Sequence, residues 1–147
     1  MTPNSHRRHQ AGRHLVVAEA LLQGYPASIV GSWTHVKINR RLAAVQLAAQ
    51  RSWRIADVNR TVTASIGLYV LVDVTYGRRD FYVIPGDELR RDLAERYPEF
   101  MSIVGGERPH NPTSRQAAIY PGQVEAWRNR WALFGEAAQP AEGDADA

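Results

Sequence analysis

Residues 33–48 read WTHVKINRRLAAVQLA, and this stretch predicts a β-hairpin. Two candidate strands, residues 33–38 and 42–48, flank Asn39-Arg40-Arg41, a turn of hairpin length. Side chains alternate along a strand, so Thr34, Val36 and Ile38 share one face while His35 and Lys37 share the other. A bulge or a one-residue slip reverses that assignment and brings His35 forward instead.

Working outward, residues 65–74 (SIGLYVLVDV) are rich in β-branched and aromatic residues and predict a buried strand. Tyr76-Gly77-Arg78 turns it into residues 80–84 (DFYVI), a second strand closed by Pro85-Gly86. A helix capped by Gly86 or Asp87 then runs to about Arg96, before Pro98. On the N-terminal side, Leu15, Ala18, Leu21 and Leu22 predict a helix over residues 11–23, stopped by Gly24. A short extended piece follows at residues 28–30. Residues 101–120 carry three Pro or Gly clusters and no period, and predict a long loop. Residues 123–134 predict a helix with Val124, Trp127, Trp131 and Phe134 on one face. The order implies an α/β fold: a small mixed β-sheet flanked by helices, without the regular βαβ alternation of a nucleotide-binding sheet.

The 147 residues, 44% of them hydrophobic, suffice for one domain with tails. The expected division is a basic N-terminal arm over 1–13, a single domain over 14–136 and a disordered acidic tail over 137–147. Cysteine is absent, which excludes disulfides, thiolate metal sites and cysteine nucleophiles. Basic residues number 18 against 15 acidic ones. Lys37 is the sole lysine, so the cationic character is arginine, and lysine-dependent chemistry has one candidate. No apolar run approaches the ~18–20 residues of a membrane span. The basic start before residues 15–22 has only a superficial signal-peptide character: the apolar part is short, contains Glu19 and lacks a cleavage site. A cytoplasmic location is expected.

Several chemistries find no motif. Gly105-Gly106 lacks the Lys-Ser/Thr of a phosphate loop, no HExxH occurs and no serine sits in a nucleophile elbow. His6, His9 and His14 read as part of a solvated basic arm, with a fortuitous metal-binding tail as the alternative. His110, within Arg108-Pro-His-Asn-Pro112, reads as a loop histidine capping a backbone group, with catalysis as the alternative.

The ordered part of the chain resembles small prokaryotic proteins of the PD-(D/E)XK nuclease-like superfamily, with a restriction-endonuclease-like core. The resemblance is carried by the opening helix with Glu19, Gly24-Tyr25, the hairpin of residues 33–48, the strands ending in Phe81-Tyr82-Val83-Ile84-Pro85, and the closing segment Val124–Leu133. In active members of such a family a strand aspartate and a Glu/Gln hold Mg²⁺ while a lysine activates water. The resemblance puts Glu19 at the helix glutamate and Gln46 at the Glu/Gln. It puts Thr34 at the aspartate and Ala48 at the lysine, so the site it implies is a remnant with no metal and no cofactor.

Two functions follow as expectations. The first is a catalytically degenerate nuclease-fold protein that binds nucleic acid, DNA above all, or serves as an accessory or interaction module, as a homodimer. Its phosphate-contacting candidates are Arg40 and Arg41 at the hairpin tip, Arg51 and Arg54 after the strand, and Arg78 and Arg79 at the next turn, with Trp33, Trp53, Tyr76 and Tyr82 among them. The alternative is a Mg²⁺-dependent DNA endonuclease with a rearranged active site, a reading that gains if another carboxylate, such as Asp57 or Asp73, enters the pocket.

Overall fold

The computed structural model describes residues 3–31, 34–55, 67–96 and 117–136. The long-loop expectation over 101–116, His110, Asp57, Trp33 and the acidic tail lie outside the described residues. Helix α1 spans Pro3–Leu22, followed by strands β1 (Ala27–Ile29), β2 (His35–Ile38), β3 (Arg41–Ala48), β4 (Trp53–Ile55), β5 (Leu68–Asp73) and β6 (Asp80–Pro85). Helix α2 (Gly86–Arg96), strand β7 (Ala117–Ile119) and two 3₁₀ segments, Pro121–Trp127 and Trp131–Phe134, complete the order.

The main sheet is five-stranded in the order β1-β2-β3-β5-β6, and β3 and β5 run parallel while the other neighbours are antiparallel. It is the small mixed sheet that the residue pattern implies. All six residues of β5 are buried, because the strand is covered on both faces, and its unbroken apolar run reflects that. Leu68, Val70 and Val72 pack with Val16 and Ala20 of α1, while Tyr69 and Leu71 pack with Trp53, Leu89, Leu93, Ile119 and Val124. The sheet therefore separates two cores. One lies under α1; the other lies under α2 and the small β4-β7 ribbon.

Helix α1 stops where the glycine signal placed the stop. Gly24 takes a left-handed φ of 98°, and its N–H donates to Leu21 O while Tyr25 N–H donates to Ala20 O at 3.0 Å. Those two bonds form a Schellman closure, which delivers Tyr25 into the core. The helix start differs from expectation. The basic residues expected as an arm form the first half of α1, and Arg13 is buried, donating to Val30 O at 2.9 Å and to Gln10 Oε1. Gly12 sits where the helix crosses β3. A Cβ there would lie 3.3 Å from Leu47 Cβ, so the close approach of helix to strand uses the missing side chain.

The hairpin closes through a two-residue turn, since Ile38 pairs with Arg41 and both Asn39 (φ 52°) and Arg40 (φ 71°) are left-handed. This is a type I′ geometry, whose twist suits paired strands.

The closing segment also departs from the single helix expected. Val124 and Trp127 pack on the α2 side of the sheet, whereas Trp131 and Phe134 pack on the α1 side. Between them the chain crosses the outer edge of β6: Arg128 bridges Tyr82, and Asn129 N–H donates to Phe81 O at 2.8 Å. Asn129, at φ 55°, makes the change of direction. The crossing covers an edge strand that would otherwise present unpaired backbone groups. Phe134 then stacks on Trp131 at 6.1 Å, and Asn39 Nδ2 donates to Phe134 O at 2.7 Å while Tyr25 OH donates to Gly135 O at 2.9 Å.

Phe134→Ala is expected to cost about 3–5 kcal/mol in urea unfolding, because it empties a fully buried aromatic site shared by Tyr25 and Trp131. Ala132→Ser, at an exposed position between them, should leave stability unchanged.

Candidate functional site: a basic cleft at the strand ends

Strand β2 pairs with β3 only as far as Ala44, and one further bond runs from Val45 N–H to Thr34 O at 2.7 Å. Among the described residues, the rest of β3 has no partner on that edge, while its other edge stays paired with β5 to Ala48. The open edge, the first half of α1 and the chain leading into β4 enclose a cleft of about 300 Å³. Its lining includes Arg8, His9, Gln46, Gln50, Ser52 and Arg54. A shallower groove shares Arg8, Leu47 and Ala49 with the cleft and continues past Arg7 to Val74 and Arg79. Both lie at the carboxyl ends of the parallel pair β3 and β5, the usual ligand position for sheets of this kind.

The polar side chains lining the cleft among the described residues are cationic, imidazole, amide and hydroxyl, the groove adds Arg7 and Arg79 beside apolar Ala11, Leu15 and Val74, and neither lining includes a carboxylate. Among the described residues, the carboxylates at this end of β5 and β6 are engaged elsewhere. Asp73 ends β5 in register with Ala48 and is fully buried. Its carboxylate accepts from Arg51 Nη1 at 2.8 Å and from Thr75 N–H at 3.0 Å. Asp80, opposite Asp73 on β6, accepts from Arg128 Nη2 at 2.8 Å and lies 3.8 Å from Arg78 Nε. Each of these cross-strand carboxylates is thus neutralised by arginine, which removes the repulsion that two facing anions would otherwise impose.

The four positions of the implied remnant site do not converge. Gln46 lines the cleft. Ala48, on the same strand face two residues on, is buried against the α2-side core. Thr34 continues, by alternation, the row of Val36 and Ile38 that packs towards α1, so it looks to the other side of the sheet from Gln46. Glu19 stands three turns along α1 from Arg8, about 16 Å by helix rise, and its carboxylate accepts from Gln23 Nε2 at 2.8 Å. His35 pairs with Ala44 and so joins the Gln46 row. Lys37 follows on that row but is exposed near the hairpin turn, about 13 Å of strand from the level of Gln46.

The arginines divide by the ends of β3. Arg51, Arg54, Arg78 and Arg79 lie at the cleft end, and Arg40 and Arg41 lie at the other, about 23 Å away along the strand. Of the cleft-end group, Arg51 and Arg78 face carboxylates, whereas Arg54 and Arg79 are exposed beside the cleft and groove. Arg7, Arg8 and His9 join them because α1 begins earlier than its apolar pattern does. The signal that extends the helix back is the spacing of Arg8, Ala11, Gly12 and Leu15, which places all four on one side.

Mg²⁺ prefers carboxylate and water oxygens in an octahedron. The described cleft residues offer amide and hydroxyl oxygens beside three cationic or imidazole groups, and no cluster of three His, Asp or Glu forms among the described residues. That donor set does not fit the ion.

Burial holds the His9 imidazole below the ordinary histidine range, and Arg13 and His6 push it further down. Burial and then Arg13 do the same for His35. Both rings take up protons less readily folded than unfolded, so acidification favours the unfolded chain. The stability they support is present above the ordinary value of 6.5 and falls as pH drops through it. Urea midpoints should decline from about pH 7.5 to about pH 5, and His9→Gln with His35→Gln should flatten the decline. Arg51→Ala should cost about 3 kcal/mol by stranding a buried carboxylate, and Asp73→Asn should cost less, since Arg51 is half-exposed and can turn to water.

No family model and no curated protein matches the sequence. A solved structure of a bacterial homing endonuclease, I-Ssp6803I, matches with a TM-score of 0.51 over 95% of this chain and 96% of that one, at 14% identity. At that identity the likeness concerns the fold alone. No helix among the described residues is long and apolar enough to cross a membrane. The chain has an α/β nuclease-like fold.

Proposed function

We propose that the protein is a catalytically degenerate member of the PD-(D/E)XK nuclease-like superfamily that holds nucleic-acid backbone in the strand-end cleft without cutting it. The observation that supports this reading most is the cleft lining: Arg8, His9, Gln46, Gln50, Ser52 and Arg54, with Asp73 withdrawn into its pair with Arg51. Arginine forks and amide N–H groups donate to phosphate oxygens, which is binding chemistry. Hydrolysis by the nuclease route requires a metal-holding carboxylate pair and a water-activating base, and Ala48 supplies none.

Exposed Arg7, Arg8, Arg54 and Arg79 give about four phosphate contacts along cleft and groove. Fluorescence anisotropy with labelled DNA should show binding whose affinity falls with salt at a log–log slope of about −3 to −4. Arg8→Ala and Arg54→Ala should each lower affinity across all sequences and reduce that slope by about 1. Absence of binding at low salt removes the reading.

The endonuclease alternative rests on Asp73, which shares a sheet face with Gln46 and is kept from the cleft by Arg51. Incubation with DNA and Mg²⁺ or Mn²⁺ should leave the substrate intact. Cleavage that Asp73→Asn abolishes favours the alternative. An accessory or self-associating role draws on Leu21 and Leu22, 54% and 81% exposed at the end of α1. Sedimentation of Leu21→Lys and Leu22→Lys against the parent chain tests it: a dimer that becomes a monomer supports it, and a parent monomer removes the homodimer.

A further inference from the structure

The aromatics expected beside the arginines divide sharply. Trp53 and Tyr82 are buried against each other at 5.5 Å, edge to face, and are unavailable to a ligand. Tyr76 is 92% exposed, more than any other large apolar side chain among the described residues. It occupies the tip of the turn between β5 and β6, at the cleft end of the sheet, with Arg78 and Arg79 beside it. Arg79 also lines the groove that runs through Arg7 and Arg8 into the cleft.

The backbone of Tyr76 is left-handed, φ 55° and ψ 39°, a conformation disfavoured for a bulky residue. The surrounding turn holds it there. Gly77 N–H donates to Val74 O and Arg78 N–H donates to Thr75 O, both at 3.1 Å. Thr75 is buried; its N–H donates to Asp73 Oδ1, and its Oγ1 accepts from Arg51 N–H at 2.7 Å. The ring is therefore presented to solvent by a rigid turn anchored on the Arg51–Asp73 pair. Packing within the protein does not account for an exposed aromatic plane held in this way.

An aromatic plane flanked by cations is the chemistry of base stacking with phosphate contact. A duplex offers no open base face without the expense of unstacking a step, whereas a single strand offers one at every nucleotide. We infer that Tyr76 is a stacking platform for an unpaired base, so that the ligand of the basic track is single-stranded nucleic acid. This rests on the nucleic-acid reading of the cleft and names its ligand class.

The test is anisotropy with a labelled mixed-sequence single strand and with the same sequence as a duplex, at low salt. The parent chain should bind the single strand more tightly. Tyr76→Asn, whose side chain tolerates left-handed backbone, should weaken single-strand binding by roughly tenfold or more, with the salt slope and duplex affinity unchanged. Tyr76→Phe should restore it, and both variants should melt with the parent. Parent binding that Tyr76→Asn leaves intact overturns the stacking role while the phosphate-binding reading stands. An equal loss on duplex, or a parent preference for duplex, overturns the single-strand assignment and points to a wedge between paired steps. A parent chain that binds neither probe overturns both readings.

Discussion

A carboxylate with no access to water sets the terms for one end of this molecule. Asp73 closes the strand at the centre of the α/β core, and an anion buried there must be met by donors. Arg51 meets it from the segment after β3, taking a left-handed φ of 63° as it does so. Thr75 meets it from the following turn and ties that turn back to Arg51 through its hydroxyl. The segment after β3 and the turn after β5 are thereby both fixed to one side chain. Arg51 also satisfies a charge that, bare, would repel phosphate from the adjacent cleft. The positive lining of that cleft thus depends on a pairing made just beneath it.

The two faces of the sheet divide the work. On one, α1 approaches closely enough that Gly12 lies almost in contact with Leu47, and its basic first half projects over the strand ends. On the other, α2 and the short β4-β7 ribbon bury Trp53, Leu89, Leu93 and Ile119. The cleft lies at the open edge where β2 leaves β3. The arginines of α1 and of the chain after β3 reach it from different elements, so its charge is assembled only in the folded state.

Strongly patterned elements were legible from residues alone. The β-branched run of β5, the hairpin (its turn Asn39-Arg40 being one residue shorter than the expected Asn39-Arg40-Arg41) and the Gly24 stop each combine a local preference with burial. Elements whose form is set by tertiary contact were not. Residues 6–11 carry little apolar periodicity because that part of α1, ahead of the Gly12 crossing, borders the basic cleft and groove, so their helix is hidden by their charge. The closing segment has aromatics at spacings of three and four that imitate one helix face, yet Asn129 breaks it and sends the two halves to opposite cores. For the site, Gln46 was reached through resemblance, and it lines the cleft. Arg8 and His9 join the cleft only because α1 extends back over a charged segment whose pattern does not signal a helix. The withdrawal of Asp73 depends on Arg51, 22 residues away, a pairing that strand alternation does not reveal.

The crossing of the closing segment over β6 has a consequence for how the chain comes to be folded during synthesis. The bonds from Tyr25 and Asn39 to the carbonyls of Gly135 and Phe134 join residues 110 and 95 positions apart. Both aromatic plugs of the α1-side core, Trp131 and Phe134, arrive after every strand of the main sheet has been made. A nascent chain lacking them has α1 in place on that face but leaves the sites of Trp131 and Phe134 and the outer edge of β6 uncovered, open to pairing with a neighbour. The later residues 131–134 are made relative to the strands they cover, the longer those apolar sites and that strand edge stay open to aggregation.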